Sequence, residues 1–286
     1  MKKFKNSTLK QIYGYLFISP WLLGFIFLTA YPMLYSLYLS FNKVKITADS
    51  GIITEFIKFD NYKYAFFTDV SFVQSLVNFL IQLLLSVPVI IVFALVIALL
   101  LNSKIKMKNF FRTIFFLPVI ITSSSVINEL TQQGATQLPG LSDILNISAL
   151  TATWPVYIAQ PVNYIFNNLI TILWFSGIQI LVFLAGLQKI NVSMYEAAKI
   201  DGATSWEIFW KITLPAIQPL IIVNVVYTVV LLSAFPMNPV SPIIRDNMFN
   251  ISTGFGYASA LAWIYLIFLL GFVGIYALFT VRRGRD

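Results

Sequence analysis

The sequence predicts an all-α membrane protein of six transmembrane helices with both termini in the cytoplasm. Three observations predict it. Of the 286 residues, 58% are apolar and only 10% charged, and the mean hydropathy is +0.82, whereas soluble domains run near half apolar and a quarter charged. The apolar residues fall into six runs, each longer than or close to the ~20 residues that cross a bilayer as a helix. The basic residues are distributed with a bias that orients those runs.

The first run, Ile12–Phe41, follows a basic N-terminal stretch, Met1–Lys10. It is too long for the short apolar core of a cleaved signal peptide, and reads as an uncleaved span. The second is Phe72–Leu101. The third is Phe111–Leu130, whose polar end extends the span to 111–133. The fourth is Val162–Leu187, the fifth Ile217–Pro236 (217–240 with its polar end), and the sixth Tyr257–Val281. None alternates strictly, which argues against a β-barrel. With the N-terminus inside, the inner side holds 14 of the 19 Lys and Arg residues, among them Lys104, Lys106, Lys108, Lys189, Lys199, Lys211 and Arg282. The outer loops, 42–71, 131–161 and 237–256, hold Lys43, Lys45, Lys58, Lys63 and Arg245, offset by acidic residues. The net charge of +8 is thus a topology signal and a lipid-facing collar, and no nucleic-acid surface is implied. The absence of Cys and His removes disulfides, thiolates and imidazole acid–base chemistry. A single domain spans 1–286, with no G-x-x-x-x-G-K-[ST] phosphate loop, so any ATP is used by another chain.

The inner loop 189–215 has its own local code. Ser193 and Glu196 have capping-box spacing, which predicts a helix start there. Gly202 suits the left-handed cap that stops it. Thr204 and Glu207 repeat the box and start a second short helix, which Pro215 is predicted to end. The product is a helix–turn–helix elbow presenting Tyr195, Trp206, Phe209 and Trp210 among charges. Two readings fit that surface: a docking element for a protein groove, or an amphipathic linker lying in the headgroups.

The same segment resembles the E-A-A-x(3)-G-x(9)-I-x-L-P signature of permeases from binding-protein-dependent ABC importers, with Glu196, Ala197, Ala198, Gly202, Ile212, Leu214 and Pro215 at the matching positions. Further stretches are similar to the carbohydrate branch, of the maltose-F/glycerol-phosphate-A type. These are Tyr31-Pro32 with Ser36–Phe41, Asn78 with Pro88, Phe111–Pro118, Phe183–Gln188 and Gly256–Ala262. The resemblance implies a non-catalytic pore subunit of the bacterial cytoplasmic membrane, importing a sugar or oligosaccharide. It implies a second permease subunit in a heterodimer, two ATPase subunits that bind ATP and Mg, and an extracytoplasmic solute-binding protein. The chain itself would hold no cofactor or metal, and the seven signature residues would couple it to the ATPase. Two stretches depart from the family pattern: Pro236–Asp246, where relatives carry Thr-x-Gly-Gly-Pro, and the region of Asn128-Glu129, where relatives carry a tryptophan.

Polar groups inside a membrane face partners or water. Gln82 in the second run, Asn128 and Glu129 at the end of the third, Asn167, Thr171 and Trp174 in the fourth, and Asn224 and Tyr227 in the fifth are the candidate lining of a substrate path. Amides that bind hydroxyls and an aromatic that covers a sugar face suit a neutral carbohydrate. The competing role for each is interhelical hydrogen bonding. An ion-coupled secondary transporter is the alternative function. It calls for intramembrane carboxylates or repeated halves, of which the sequence offers Glu129 and no repeat.

Overall fold

The computed structural model describes residues 2–47, 51–103, 110, 113, 147–235, 238–250 and 253–282. The predicted third span, 111–133, with Asn128 and Glu129, lies outside the described residues apart from isolated helical positions. Among the described residues the chain is mostly helical. Four helices are long and apolar enough to cross a membrane: Tyr13–Ser40, Val70–Asn102, Ser205–Ala234 and Gly254–Leu278. Val156–Asn167 with Ile172–Leu187 makes a fifth if that bent pair is one span. The chain divides into two compact units, Met1–Ser75 with Pro242–Ile267, and Leu76–Ser241 with Phe268–Asp286.

In the first unit, α1 (Lys2–Phe25) passes through a π-helical turn, Ile26–Ala30, into α2 (Tyr31–Ser40). The wide turn precedes Pro32. Proline cannot donate and its ring collides with the carbonyl four residues back, which here is that of Leu28, inside the wide turn. The Tyr31 amide bonds instead to the Ile26 carbonyl five residues away, so the helix continues across the proline. The segment predicted as an outer loop is ordered: β1 (Asn42–Thr47) pairs antiparallel with β2 (Gly51–Phe56), Asn42 opposite Phe56 and Thr47 opposite Gly51. Helix α3 (Asp60–Phe67) follows. A buried polar knot holds them together. The Asn61 amide donates to the Ser40 carbonyl (2.8 Å) and the Asn42 carbonyl (3.1 Å), while the Ser40 and Tyr62 hydroxyls share a 2.7 Å bond. Such groups are tolerated inside because each finds a partner.

The long helix α4 (Val70–Asn102) and the last helix (Gly254–Arg282) are tied together at their starts through Asp69. Asp69 caps the first, accepting from the Phe72 amide at 3.0 Å and the Ser71 hydroxyl at 2.6 Å, and its second oxygen accepts the Tyr257 hydroxyl at 2.7 Å. Burial raises the Asp69 pKa, but those hydrogen bonds outweigh it and hold the carboxyl below its ordinary 3.8. Glycine is required at 256: a Cβ there would collide with the Asn42 carbonyl oxygen.

In the second unit, Phe79, Leu83, Val87, Ile90, Ala94 and Ala98 are buried along one stripe of α4, the three-and-four spacing of a core-facing helix. Short α5 (Ile147–Leu150) precedes α6 (Val156–Asn167) and α7 (Leu169–Leu187). The fourth apolar run is therefore not one straight helix from 162 to 187. It starts earlier and bends by 79° around Asn168, whose φ/ψ of −103°/16° leave the helical well. Of the candidate path residues in that run, Asn167 consequently sits on a different helix from Thr171 and Trp174. Helix α7 packs on α10 (Leu214–Ala234); Gly186 of α7 lies so close to Leu220 that a Cβ would meet its side chain.

Candidate functional site

Residues 191–215 fold as the elbow, with two departures from the sequence expectation. Helix α8 (Val192–Ile200) is capped by Asn191 rather than Ser193: Asn191 is extended (φ −64°, ψ 126°) and its side chain accepts from the Ser193 amide at 3.1 Å. Asparagine caps as well as serine, and its earlier position puts Ser193 inside the first turn and Glu196 beyond capping reach. At the other end Gly202 has φ +78°, and the Gly202 and Ala203 amides bond to the Lys199 and Ala198 carbonyls at 3.1 and 2.9 Å. That pair of bonds is a Schellman close, which needs a left-handed residue where glycine stands.

The second capping box forms as predicted. The Glu207 amide donates to the Thr204 hydroxyl oxygen at 3.3 Å, and Glu207 accepts from the Thr204 amide at 3.0 Å, starting α9 (Ser205–Ile208). Lys211 adds an exposed ion pair to Glu207 at 3.5 Å, of little energetic weight. Pro215, however, does not end this helix. A second π-helical turn, Phe209–Thr213, precedes it, with the Leu214 amide bonding back to Phe209, and the chain runs straight on into α10. The device is the one seen before Pro32: the carbonyl that proline would strike, that of Lys211, lies in the widened turn. The Thr213 hydroxyl contributes here. It lies 3.1 Å from the Tyr195 hydroxyl and donates to the Ile208 carbonyl at 3.4 Å, tying α8 to the start of α10. The Tyr195 contact is not legible in the sequence, since no local pattern marks a contact across eighteen residues.

On the elbow surface Glu196, Ala197, Gly202 and Pro215 are exposed, and Ala198, Ile212 and Leu214 half-buried. Trp206 and Trp210 are exposed and stack edge to face at 5.4 Å, with Phe209 5.2 Å from Trp210. Tyr195 and Phe209 are only half-exposed, and Ile200, at 86%, is the most open apolar side chain of the loop. Apolar groups concentrated on a loop without a partner mark an interaction surface.

Among the described residues, the candidate path residues occupy different surroundings. Gln82 lines a small cavity of about 20 Å³ beside the α6–α7 bend, with Ser86, Tyr164, Asn168 and apolar neighbours including Phe175 and Leu232. That is room for about one water. Asn224 is fully buried in the α7–α10 seam, donating to the Gln179 carbonyl at 3.3 Å, and Gln179 donates to the Thr228 hydroxyl at 2.8 Å. Gln179 is a buried polar residue passed over in the sequence, although one amide within the apolar stretch 175–187 is the same signal that singled out Asn224. Trp174 and Tyr227 are half-buried and Asn167 exposed, while the side chain of Thr171 lies outside the described part.

Residues 67–284 match the family of binding-protein-dependent transport system inner membrane components. The chain belongs to this family. A relative from Bacillus subtilis (strain 168), the probable ABC transporter permease protein YesP, is 32% identical over 93% of this chain and 90% of its own. The lactose transport system permease protein LacF of Rhizobium radiobacter is 29% identical over 97% and 98%. The fold is shared with a solved bacterial alginate ABC transporter in complex with its alginate pentasaccharide-bound periplasmic protein, at a TM-score of 0.65 and 21% identity over 100% of this chain and 98% of that one. The permease is thus a multi-pass membrane protein, and its long apolar helices leave large side chains exposed, with Leu28 at 80% and Leu270 at 63%.

Proposed function

We propose that this permease forms half of the translocation path of an ATP-driven importer for a sugar or oligosaccharide, and takes its drive from a separate ATPase through the 189–215 elbow. The observation that carries the reading is the construction of the elbow. Glu196, Ala197 and Ala198 lie on the first of two independently capped short helices, Gly202 makes the turn between them, and Ile212, Leu214 and Pro215 lie where the second runs on into the fifth span, with Trp206, Trp210 and Ile200 exposed. From Ser205 to Ala234 the second helix and the fifth span are one continuous rod of 30 residues, about 45 Å at 1.5 Å per residue. A displacement imposed at Trp206 is then carried as rigid-body motion into the membrane, the mode by which packed elements switch access.

In this arrangement both termini are cytoplasmic, as the Lys and Arg bias favours. A second permease completes the pore, two ATPase subunits bind ATP and Mg below it, and a soluble binding protein delivers substrate from outside. The chain transmits energy and performs no hydrolysis. The carbohydrate assignment is supported by the lactose permease relative and by amide and aromatic groups such as Gln82, Asn167 and Trp174 along the apolar segments. The test is ATP hydrolysis by the reconstituted complex against a panel of mono- and oligosaccharides presented with the binding protein. Stimulation by a sugar supports the whole reading; hydrolysis indifferent to every sugar removes the substrate class, and failure to recruit an ATPase removes the function.

A further inference from the structure

Helix α8 carries Glu196, Ala197 and Ala198 but is barely embedded in the protein. None of its residues is buried, and all are exposed except Tyr195 and Ala198, which are half-buried. The turn 201–204 that joins it to α9 is open as well. Asp201, Gly202 and Thr204 are exposed, and beyond the chain neighbours no atom stands within 4 Å of the Cβ position at Gly202. A linker held by backbone bonds alone is compliant, because few packed contacts resist its deformation. A load applied to α8 therefore needs another route into the membrane.

The Tyr195 side chain supplies one. Its hydroxyl lies 3.1 Å from that of Thr213, and Thr213 is buried where the elbow enters the fifth span. Thr213 spends its single hydroxyl hydrogen on the Ile208 carbonyl at 3.4 Å, so its oxygen accepts the Tyr195 hydroxyl. A threonine in an ordinary helix turns back on the carbonyl three or four residues before it. Here it reaches five residues back, because Phe209–Thr213 is the π-helical turn that accommodates Pro215. Through that widened turn the proline of the signature sets the direction in which Thr213 meets Tyr195. Tyr195 itself directly precedes Glu196-Ala197-Ala198 on α8.

We infer that Tyr195 and Thr213 are positioning residues for coupling: they form the strut through which a displacement of α8 reaches the fifth span, so that α8 and the rod from Ser205 to Ala234 move as one body. The inference rests on the importer reading above and adds to it the route by which the elbow passes on its load. The hydrogen bond need not be strong for this. Under compression the two hydroxyls are already in contact, and close-packed atoms transmit strain because they compress so little. The hydrogen bond keeps the phenol ring in line and carries the return movement. Without it, α8 pivots about the open turn at Gly202 before α10 responds. Trp206 and Trp210 stand on the rod side of that turn and load it without passing through Tyr195.

The test uses the complete transporter with its ATPase in a bilayer. The chain has no cysteine, so Ser193→Cys on α8 and Ala216→Cys on α10, both at exposed positions, take a pair of spin labels. Their separation is read without nucleotide and with ATP and vanadate. The strut predicts one narrow distance that ATP leaves unchanged. Tyr195→Phe and Thr213→Val should each broaden it, and Thr213→Ser, which keeps the hydroxyl, should not. The amount of sugar carried per ATP hydrolysed, with whichever sugar of the panel stimulates hydrolysis, should fall about fivefold in either single variant, the weight of one hydrogen bond, and no further in the double variant. A wild-type distance that shifts with ATP overturns the inference, as do variants that keep the narrow distance. A lowered thermal midpoint with an unchanged ratio assigns the pair to stability alone and also overturns it. So does weakened ATPase binding in Tyr195→Phe, which assigns that hydroxyl to the docking face. A wild-type complex that recruits no ATPase overturns the importer reading and the strut with it, whereas a transporting wild type whose variants keep both distance and ratio overturns only the strut.

Discussion

Replacing Gly202 by alanine isolates the conformational requirement of the elbow. Nothing lies within 4 Å of a Cβ built there, so the substitution meets no steric obstacle, and its cost is that of placing an L-residue at φ +78°. That cost is about 1–2 kcal/mol, a factor of about 5–30 in the population of the closed turn. Asparagine tolerates the left-handed region better and should lose much less. Proline should lose more than either, because its φ is fixed near −65° and it removes the amide that bonds to the Lys199 carbonyl at 3.1 Å. Hydrogen exchange at the Ala203 amide, bonded to the Ala198 carbonyl at 2.9 Å, reports the closed turn directly. Exchange should accelerate about 5–30-fold in Gly202→Ala, with substrate-stimulated ATP hydrolysis falling in the order asparagine, alanine, proline while the protein stays in the membrane. Unchanged Ala203 exchange in Gly202→Ala, or full coupling in Gly202→Pro, would refute the reasoning.

Three further outcomes are expected. In a Tyr195→Phe and Thr213→Val cycle, the hydroxyl pair at 3.1 Å should give a coupling of about 0.5–1.5 kcal/mol, measured by denaturation in detergent; zero coupling would free α8 from the start of α10. Gln179→Leu and Asn224→Leu should change stability little or raise it, since hydrogen bonds between membrane helices average about 0.6 kcal/mol and each change deletes a buried oxygen, Gln179 Oε1 or Asn224 Oδ1, that has no partner among the described residues. By contrast Phe183→Ala, at a fully buried site, should cost about 3–5 kcal/mol. Asp69 ionises more readily folded than unfolded, so its contribution is present above the unfolded pKa and is lost as pH falls through the folded one. The thermal midpoint of the wild type should therefore drop more steeply below about pH 4 than that of Asp69→Asn, and parallel curves would remove the cap and the Tyr257 contact as its source.

The sequence by itself determined the membrane class, the apolar runs and the local code of the elbow. These rest on signals confined to one segment: run length, the Thr204–Glu207 box, and a glycine where a helix must turn. It also held the signature that places the chain among the permeases. Tertiary structure decided what depends on distant partners. Pro215 carries a helix stop in its local chemistry, and a π-helical turn overrides it because the rod from Ser205 to Ala234 can widen at Phe209–Thr213 without losing its bonds. The bend at Asn168 was hidden because Val162–Leu187 reads as one unbroken apolar run, and hydropathy is blind to backbone angle. Asn224 and Gln179 are chemically fit either to line a path or to bind helices together; only packing sets them inside the α7–α10 seam. The ordered outer segment around Phe59 depends on Phe41 and Tyr62 from neighbouring elements, and a polar outer loop gives no sign of contacts that only the folded chain brings within reach.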